Sequence, residues 1–382
     1  MKKPHYSFAA NMKVIAISTD LSIFDRHSTA RERMEAYVRL FDEYHIIIYS
    51  PKGFRREESN NLFLYPTNSS SFFFRPIDAV RIGSRILREK DIKVASVQDP
   101  AESAIAGWLL KKRFGIRLHI QVHSDFFSPF FRMNSWKEFA RWLLARFLLP
   151  RGDAYRVVSR RIADSLHSTF RIPYSKMSVL PIFIDGNEIE HTPPSFILND
   201  KYPEFDFIIL MAARLVREKN IELALGAFKE LVKEFSRTGM VIVGDGPESE
   251  SLKFKVESLK LANNVRFEGW QGDLISYYKG ADLYLLTSNF EGYGRSVIEA
   301  AWAGLPVVMT DVGVAGEIIR DKETGLVVPP GDQAALAKAL SEARHHYDAM
   351  RKMAQKAYQK VSTAPPLTKS DYLRMYQASF SI

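Results

Sequence analysis

Residues 281–308 read ADLYLLTSNFEGYGRSVIEAAWAGLPVV, and this stretch decides the fold class. It opens with an apolar run at 283–287, which has the length of a buried strand and leads into a polar loop with two glycines. A helical pattern follows and stops at Gly304 and Pro306, because glycine followed by proline ends a helix. A second apolar run at 307–310 comes next. Strand, helix and strand in this order predict a parallel βαβ unit.

The same alternation runs through the rest of the chain. The predicted strands are residues 12–18, 45–49, 94–97, 118–122, 155–158, 207–212, 240–243, 265–267, 283–287 and 307–310. The predicted helices are residues 31–41, 77–89, 221–235, 248–261 and 296–303. Short strands separated by amphipathic helices predict an α/β protein built on parallel sheets.

The chain has 382 residues, 46% of them apolar, which suits two domains. Residues 190–206, with three prolines and scattered polar residues, interrupt the alternation and predict a linker. We therefore predict two Rossmann-like, doubly wound domains, 1–190 and 191–365, that face a central cleft. Ligands of such sheets bind beyond the carboxyl ends of the strands.

Composition limits the location and the chemistry. The sequence contains no cysteine, which excludes disulfides and thiolate metal sites and favours a reducing compartment. The first residues are basic but carry no long apolar run, so we expect no secretory signal and no membrane span. We predict a cytoplasmic protein, with the cytoplasmic face of a membrane as a peripheral location.

Positive charge is concentrated in the first half. The net charge is +9, and residues 110–175 alone hold thirteen Lys or Arg against four Asp or Glu. Such a segment suggests a polyanionic neighbour: nucleic acid, an anionic membrane or a phosphorylated substrate. No aromatic-basic RNA motif and no zinc-ligand spacing is visible, so nucleic acid is not a predicted partner.

Two glutamates flank the start of the helix in the opening stretch. Glu291 lies in a loop at the carboxyl end of a strand, and Gly292 and Gly294 let a ligand approach the backbone. The helix start that follows offers unpaired N–H groups to an anion. Glu299 can face the same ligand, but Ser296 to Glu299 is also a capping box that would only close the helix start. Spacing alone does not decide whether Glu291 and Glu299 hold a ligand between them or whether Glu299 only caps the helix.

Three further motifs follow strands. Arg214 and Lys219 lie in one strand-to-helix loop, where two cations can grip a diphosphate or simply be solvated. Residues 244–248, GDGPE, resemble a nucleotide-binding turn or start the next helix, and GxG alone is weak. His123 ends a predicted strand, where it could assist proton transfer or be structural.

Together and in this order, the motifs resemble glycosyltransferase family 4, the retaining, nucleotide-sugar-dependent enzymes of GT-B fold. The matching blocks are ARLVREKN at 213–220, VIVGDGPE at 241–248, NVRFEGW at 264–270, the opening stretch at 281–308 and GLVVPPGD at 325–332. The N-terminal half matches less closely. The loop at 20–29 lacks the glycine pair of the family, and PIFID at 181–185 replaces its usual Pro-Asn-Gly-Val-Asp.

The resemblance implies a role for each motif. Arg214 and Lys219 would hold the donor diphosphate as leaving group, Glu291 would hold sugar hydroxyls, and Glu299 the ribose. His123 would touch the donor sugar near the reacting carbon. The other expected donor contacts are Gly244, Gly292, Tyr293, Gly294, Arg295 and Ser296. The nucleotide sugar is a substrate, so the resemblance implies no cofactor and no metal.

The resemblance also implies the partners and the end of the chain. The acceptor would be a saccharide or a lipid-linked acceptor, and the segment 366–382 would form a helix, near 367–380, that returns to the first domain. Two other enzyme classes stay open. A nucleotide-sugar epimerase of similar shape would need a second set of acid/base residues. A glycoside hydrolase would use Glu291 and Glu299 as its pair and leave Arg214 and Lys219 without a role.

Residues 126–151, FFSPFFRMNSWKEFARWLLARFLLPR, combine aromatic and basic residues. At helical spacing Trp136, Phe139, Ala140, Leu143 and Phe147 share one stripe. Such a helix can lie on an anionic membrane surface, which is a further predicted partner. The alternative is that the stripe is ordinary protein core.

Overall fold

Residues 12–366 and 368–381 are described by a computed structural model of the chain. The expectation for the first residues, and residues 367 and 382 of the predicted C-terminal segment, lie outside that description. The strands are β1 Lys13–Ser18, β2 Glu43–Ile48, β3 Glu57–Ser59, β4 Leu62–Pro66, β5 Val94–Val97, β6 Arg117–Val122, β7 Ala154–Val157, β8 Met177–Val179, β9 Phe207–Ala212, β10 Thr238–Val243, β11 Val265–Gly269, β12 Leu283–Leu286, β13 Val307–Thr310 and β14 Leu326–Val328.

The helices alternate with these strands. They are α1 Thr29–Val38, α2 Arg75–Glu89, α3 Glu102–Phe114, α4 Pro129–Asn134, α5 Trp136–Leu148, α6 Arg160–Phe170, α7 Gly186–His191, α8 Leu198–Lys201, α9 Ile221–Glu234, α10 Ser249–Ser258, α11 Leu274–Gly280, α12 Arg295–Trp302, α13 Gln333–His345, α14 Tyr347–Thr363 and α15 Lys369–Ala378. The predicted α/β class is confirmed.

The chain divides into two compact units. One comprises Met1–Pro181 with Lys369–Ile382, and the other is Ile182–Thr368. The chain therefore passes between units at Pro181, earlier than the predicted linker at 190–206. That linker interpretation is corrected, because Leu198, Tyr202 and Phe205 of this segment are buried in the core of the second unit. The prolines of this segment mark turns, but the segment still packs into the core.

In the described residues of the first unit, eight strands form one sheet in the order β3-β4-β2-β1-β5-β6-β7-β8. Its pairs are parallel except for β3 with β4, which form an antiparallel edge. The strand β1 lies near the middle, and Val14 to Ile17 on it are fully buried. Strands covered on both faces carry continuous apolar runs, which explains why the sequence pattern revealed them.

The helix α15 packs within the first unit although the second unit separates the two in sequence. The ring of Tyr376 stacks on Tyr37 with centroids 3.9 Å apart, and the hydroxyl of Tyr372 lies 2.8 Å from that of Tyr37. The guanidinium of Arg156 is buried beside them and donates to Gln121 Oε1 at 2.8 Å and to the Tyr372 hydroxyl at 2.7 Å. These aromatic and hydrogen-bonding contacts hold α15 in place.

In the second unit, the described strands form a six-stranded parallel sheet in the order β11-β10-β9-β12-β13-β14. The strand β9 shows how it is covered. Phe207, Ile209 and Met211 point into a core with α9 and α13, whereas Ile208 and Leu210 point into a core with α12 and α14. The sheet is doubly wound, and the loops after β9, β10, β11 and β12 share its carboxyl edge.

Candidate active site

The loop after β9 carries the two predicted cations. Arg214 is exposed and donates to Glu218 Oε1 at 3.1 Å, and the carbonyl of Glu218 accepts from Asn289 N at 2.8 Å. Lys219 is largely buried, with 16% of its side chain accessible. The Thr287 hydroxyl donates to the Lys219 carbonyl at 2.9 Å. The loop after β9 is thus fastened to the loop after β12, while the Arg214 side chain keeps room to reach a ligand.

Lys219 and Glu291 come together although they lie far apart in sequence. The Lys219 ammonium is 2.5 Å from Glu291 Oε1, and the Ser288 hydroxyl donates to the same oxygen at 2.8 Å. The Glu291 side chain is only 13% accessible. Because both groups are largely shielded from water, the attraction between the two charges is stronger than in water, and it holds both groups at the carboxyl edge of the sheet.

A row of backbone amides follows Glu291. Within the described residues, the N–H groups of Gly292, Tyr293, Gly294, Arg295 and Ser296 donate to no protein acceptor. Gly294 is the N-cap of α12 and has φ +90°, a left-handed conformation that favours glycine. Unpaired amides at a helix start, together with the helix dipole, form an anion-binding arrangement. Lys219 lies directly beside it.

Glu299 does not close a capping box. The N-cap of α12 is Gly294, without a side-chain cap hydrogen bond, so Ser296 lies inside the helix. The Glu299 carboxylate instead accepts from Arg295 Nε at 2.6 Å and from the buried Tyr278 hydroxyl at 3.0 Å. The capping-box interpretation is therefore wrong. Glu299 is held by the side chain one turn before it and by α11.

The glycine turn after β10 has a packing role. Gly244 has φ +132°, and a Cβ there would lie 1.9 Å from the carbonyl oxygen of Ala213. Its amide already donates to Gly269 O at 2.7 Å. A Cβ on Gly246 would lie 2.4 Å from the carbonyl oxygen of Leu215. The turn thus brings the loops after β9 and β10 into contact, and the donor contact expected of Gly244 stays a prediction.

Tyrosines complete the surroundings of the second-unit residues. Tyr284 donates to the Ala212 carbonyl at 3.2 Å and so links β12 to the end of β9. Burial raises the pKa of Tyr293, and the nearby charge of Glu317 raises it further, so this hydroxyl stays protonated at neutral pH. Sequence reasoning did not identify Ser288 or Tyr278, since only the folded chain shows that they orient Glu291 and Glu299.

His123 lies in the first unit, directly after β6. Desolvation by surrounding protein lowers the pKa of its imidazole, and the positive charge of Arg156 adds to the effect. The residue as a whole nevertheless has an exposed surface. His123 is therefore neutral at pH 7, when it can donate or accept a hydrogen bond but carries no charge.

No group of three or more His, Cys, Asp or Glu side chains in 12–366 and 368–381 is arranged to hold a metal ion. Over the same residues, no helix has the length and apolar character needed to cross a bilayer.

Solved structures share this architecture. Sucrose-phosphate synthase from Thermosynechococcus elongatus matches with a TM-score of 0.76 and 18% identity over 96% of this chain and 98% of that one. Anabaena Alr3699/HepE in complex with UDP matches with a TM-score of 0.72 and 17% identity over 96% and 98% of the two chains. At these identities the likeness shows the fold alone, and that fold is GT-B. The fold and the family models together define a glycosyltransferase.

The chain belongs to glycosyltransferase family 4. The model of that family matches residues 28–188, and the model described as glycosyl transferases group 1 matches residues 199–360. The family expected from the motifs is confirmed, and the epimerase and hydrolase alternatives are set aside.

Curated relatives share about a quarter of their residues with this chain over the matched segments. The 2-deoxystreptamine N-acetyl-D-glucosaminyltransferase of Niallia circulans is 25% identical over 240 residues, 61% of this chain and 61% of that enzyme. That match spans less than two thirds of its length. The N-acetyl-alpha-D-glucosaminyl L-malate synthase of Bacillus anthracis is 24% identical over 298 residues, 76% of each chain.

Proposed function

We propose that the protein is a retaining glycosyltransferase that moves a hexose-type sugar from a UDP- or GDP-sugar to a hydroxyl of a saccharide or lipid-linked acceptor. Polysaccharide or glycolipid assembly is the proposed setting. The observation that carries this proposal is the contact between Lys219 and Glu291 beside the unpaired amides of 292–296. A cation, a row of N–H donors and a fixed carboxylate suit a phosphate joined to a polyhydroxylated sugar.

The proposed roles follow from charge. When the bond between the sugar and the diphosphate breaks, both electrons stay with the phosphate oxygen, and negative charge grows there. Arg214, Lys219 and the amides at the start of α12 would stabilise that charge, and Glu291 would accept from sugar hydroxyls. Removing one such donor costs on the order of a hundredfold in rate. Glu299 is proposed to hold the ribose and His123 to contact the donor sugar near its reacting carbon.

UDP is the favoured nucleotide. Structures of the fold neighbour Alr3699/HepE contain UDP, UDP with glucose, or UDP-glucose. The names of the two curated relatives above both contain an N-acetylglucosaminyl group. The absence of cysteine supports the cytoplasm as the proposed location.

Thermal unfolding in the presence of nucleotide sugars tests the donor assignment. A ligand at a hundred times its Kd stabilises the folded chain by about 2.7 kcal/mol, which is a readily measured rise in Tm. We expect a UDP-sugar to give this rise and Arg214→Ala to abolish it. Arg237→Ala is the matched control, because Arg237 precedes β10 at the opposite edge of the sheet and donates to the Glu204 carbonyl. If no nucleotide sugar raises the Tm, the donor assignment is lost.

The product tests the reaction. We expect donor to be consumed with sugar transfer to an acceptor, and the NMR coupling of the new anomeric proton to show the configuration of the donor. Inversion at this carbon would contradict retention without affecting the donor assignment.

A further inference from the structure

The apolar stripe of α5 is on the surface of the first unit. Trp136 is 84% exposed, and Phe139, Leu143 and Phe147 are about half exposed. The buried residues of α5 are Ala145 and Leu148 on its other side. The interpretation of the stripe as ordinary core is therefore wrong, and its exposure needs another explanation.

A second apolar group precedes and begins α2. Phe72, Phe73, Phe74 and Ile77 are all exposed, with Phe73 at 84%. A soluble domain rarely leaves three consecutive phenylalanines in water, and large exposed apolar groups usually mark an interaction site. None of the sequence motifs for glycosyl transfer includes these residues.

Both groups lie at one end of the first unit. The helices α2, α3 and α5 pack side by side, and each leads from the carboxyl end of one parallel strand back to the amino end of the next. Their starts therefore share the edge that holds His123. Arg141 pairs with Glu102 at the start of α3 at 3.0 Å, and Trp136 lies five residues, about 7.5 Å along the helix axis, before Arg141.

The surroundings of both groups are basic. Residues 126–151 contain five Lys or Arg and one acid, and residues 72–88 contain four Arg and one acid. The two acids are used locally: Glu138 bonds to the N-cap Ser135, and Asp78 accepts from Ser69 Oγ at 2.8 Å. Within the described residues, no carboxylate pairs with Arg132, Lys137 or Arg146 through a salt bridge. Positive charge beside exposed aromatics is complementary to an anionic, partly apolar surface.

We propose that these two groups, Phe72 to Phe74 with Ile77 and the outer face of α5 from Trp136 to Leu143, dock the protein on an anionic phospholipid surface. The indole of Trp136 and the ring of Phe73 enter the headgroup region, and the arginines and lysines around them face the lipid phosphates. The docking is peripheral and reversible. It does not depend on the proposed sugar transfer, since it involves neither donor nor acceptor.

Flotation of the full chain with vesicles tests the proposal without nucleotide sugar. We expect binding to vesicles of phosphatidylcholine with phosphatidylglycerol, and weak binding to phosphatidylcholine alone. Raising the salt concentration should weaken it, because screening reduces the attraction between the basic residues and the lipids. Trp136→Ser and Phe73→Ser should each lower the partition about tenfold. Lys137→Ala should lower it about fivefold.

Phe254→Ser is the control, since Phe254 is 73% exposed on α10 of the second unit and should contribute nothing. An unchanged Tm of each variant shows that it is folded. The proposal is overturned if the wild type does not float, if Phe254→Ser is as damaging as Trp136→Ser, or if the exposed groups instead mediate self-association. Sedimentation shows the last case as a dimer that Trp136→Ser dissociates.

Discussion

At the scale of single residues, Lys219 and Glu291 show why spacing alone could not assign the motifs. Lys219 follows β9 and Glu291 follows β12, and these strands are neighbours in the sheet. The resulting contact of 2.5 Å joins two side chains that the sequence separates by 72 positions. Each group limits where the other can point, so the edge of the sheet carries a fixed cation and a fixed carboxylate.

Lys219→Ala tests this pair. We expect a loss of about a hundredfold in kcat, because the leaving diphosphate loses one preorganised cation. Lys219→Arg should restore part of it, and Lys233→Ala, which removes an exposed lysine paired with Glu230, should have no effect. Steady-state kinetics measures all three. A Lys219→Ala enzyme with normal kcat and a lower Tm would give this lysine a purely structural role.

Residue-level prediction failed where side-chain partners come from other elements. The spacing of Ser296 and Glu299 fits a capping box, but α12 begins one residue earlier, at Arg295, and Tyr278 from α11 holds Glu299. Neither fact is visible in a local pattern. The roles predicted for Arg214, Glu291 and His123 in donor binding stay predictions until measured.

At the scale of elements, the proposed anion site lies at the start of α12. Two glycines of this helix region adopt left-handed conformations, Gly294 before α12 with φ +90° and Gly304 after it with φ +71°. A Cβ on Gly304 would meet nothing within 4 Å, and one on Gly294 would meet only ordinary contacts. An alanine at either position would therefore have a strained backbone conformation, but its Cβ would not collide with neighbouring atoms.

Gly294→Ala and Gly304→Ala form a matched pair. Each should lower the free energy of unfolding of the second unit by about 1–2 kcal/mol, the usual cost of a left-handed non-glycine residue. Only Gly294→Ala should also weaken donor binding, because it shifts the amides of 292–296. Urea unfolding and titration with the nucleotide sugar measure the two effects. Equal donor affinity in both variants would show that the start of α12 does not hold the donor.

Long buried strands were the predictable elements, and short edge strands were not. The apolar runs of β9 and β10 need no partner to be recognised, since every residue in them is buried. In contrast, β3 is Glu-Glu-Ser and largely exposed, and β8 has three residues. Such strands exist because a neighbour supplies hydrogen bonds, and α8 forms inside a segment whose prolines predict a linker. Propensity carries none of this information.

At the scale of the molecule, stability is expected to depend on pH through the first unit. Burial lowers the pKa of His119 to about 3. Its Nδ1 lies 3.0 Å from Ser96 Oγ, and its ring stacks on Phe380 with centroids 4.4 Å apart. The unfolded chain takes up a proton near pH 6.5, whereas the folded one does not. The contribution of His119 to the free energy of unfolding is thus complete above pH 6.5 and is lost as the pH falls towards 3.

The first unit should therefore lose about 2 kcal/mol between pH 7 and pH 5 from His119 alone. His119→Asn should reduce this dependence, leaving the parts due to His123 and His45, whose pKa values burial also lowers. Urea unfolding across this pH range measures the slopes. Equal slopes in wild type and His119→Asn would mean that the folded chain protonates His119 as readily as the unfolded chain.

Because α15 packs in the first unit, that unit can be completed only when the ribosome has synthesised the end of the chain. Tyr37 and Tyr44 emerge early, but their partners Tyr372 and Tyr376 follow only after the whole of Ile182–Thr368. At about 5–20 residues per second, that intervening unit takes roughly 10–40 s to synthesise. At the end of that time the second unit is complete as one continuous segment and can fold, while the aromatic residues of the first unit still lack their partners on α15. The unit that is begun first is the one that is completed last.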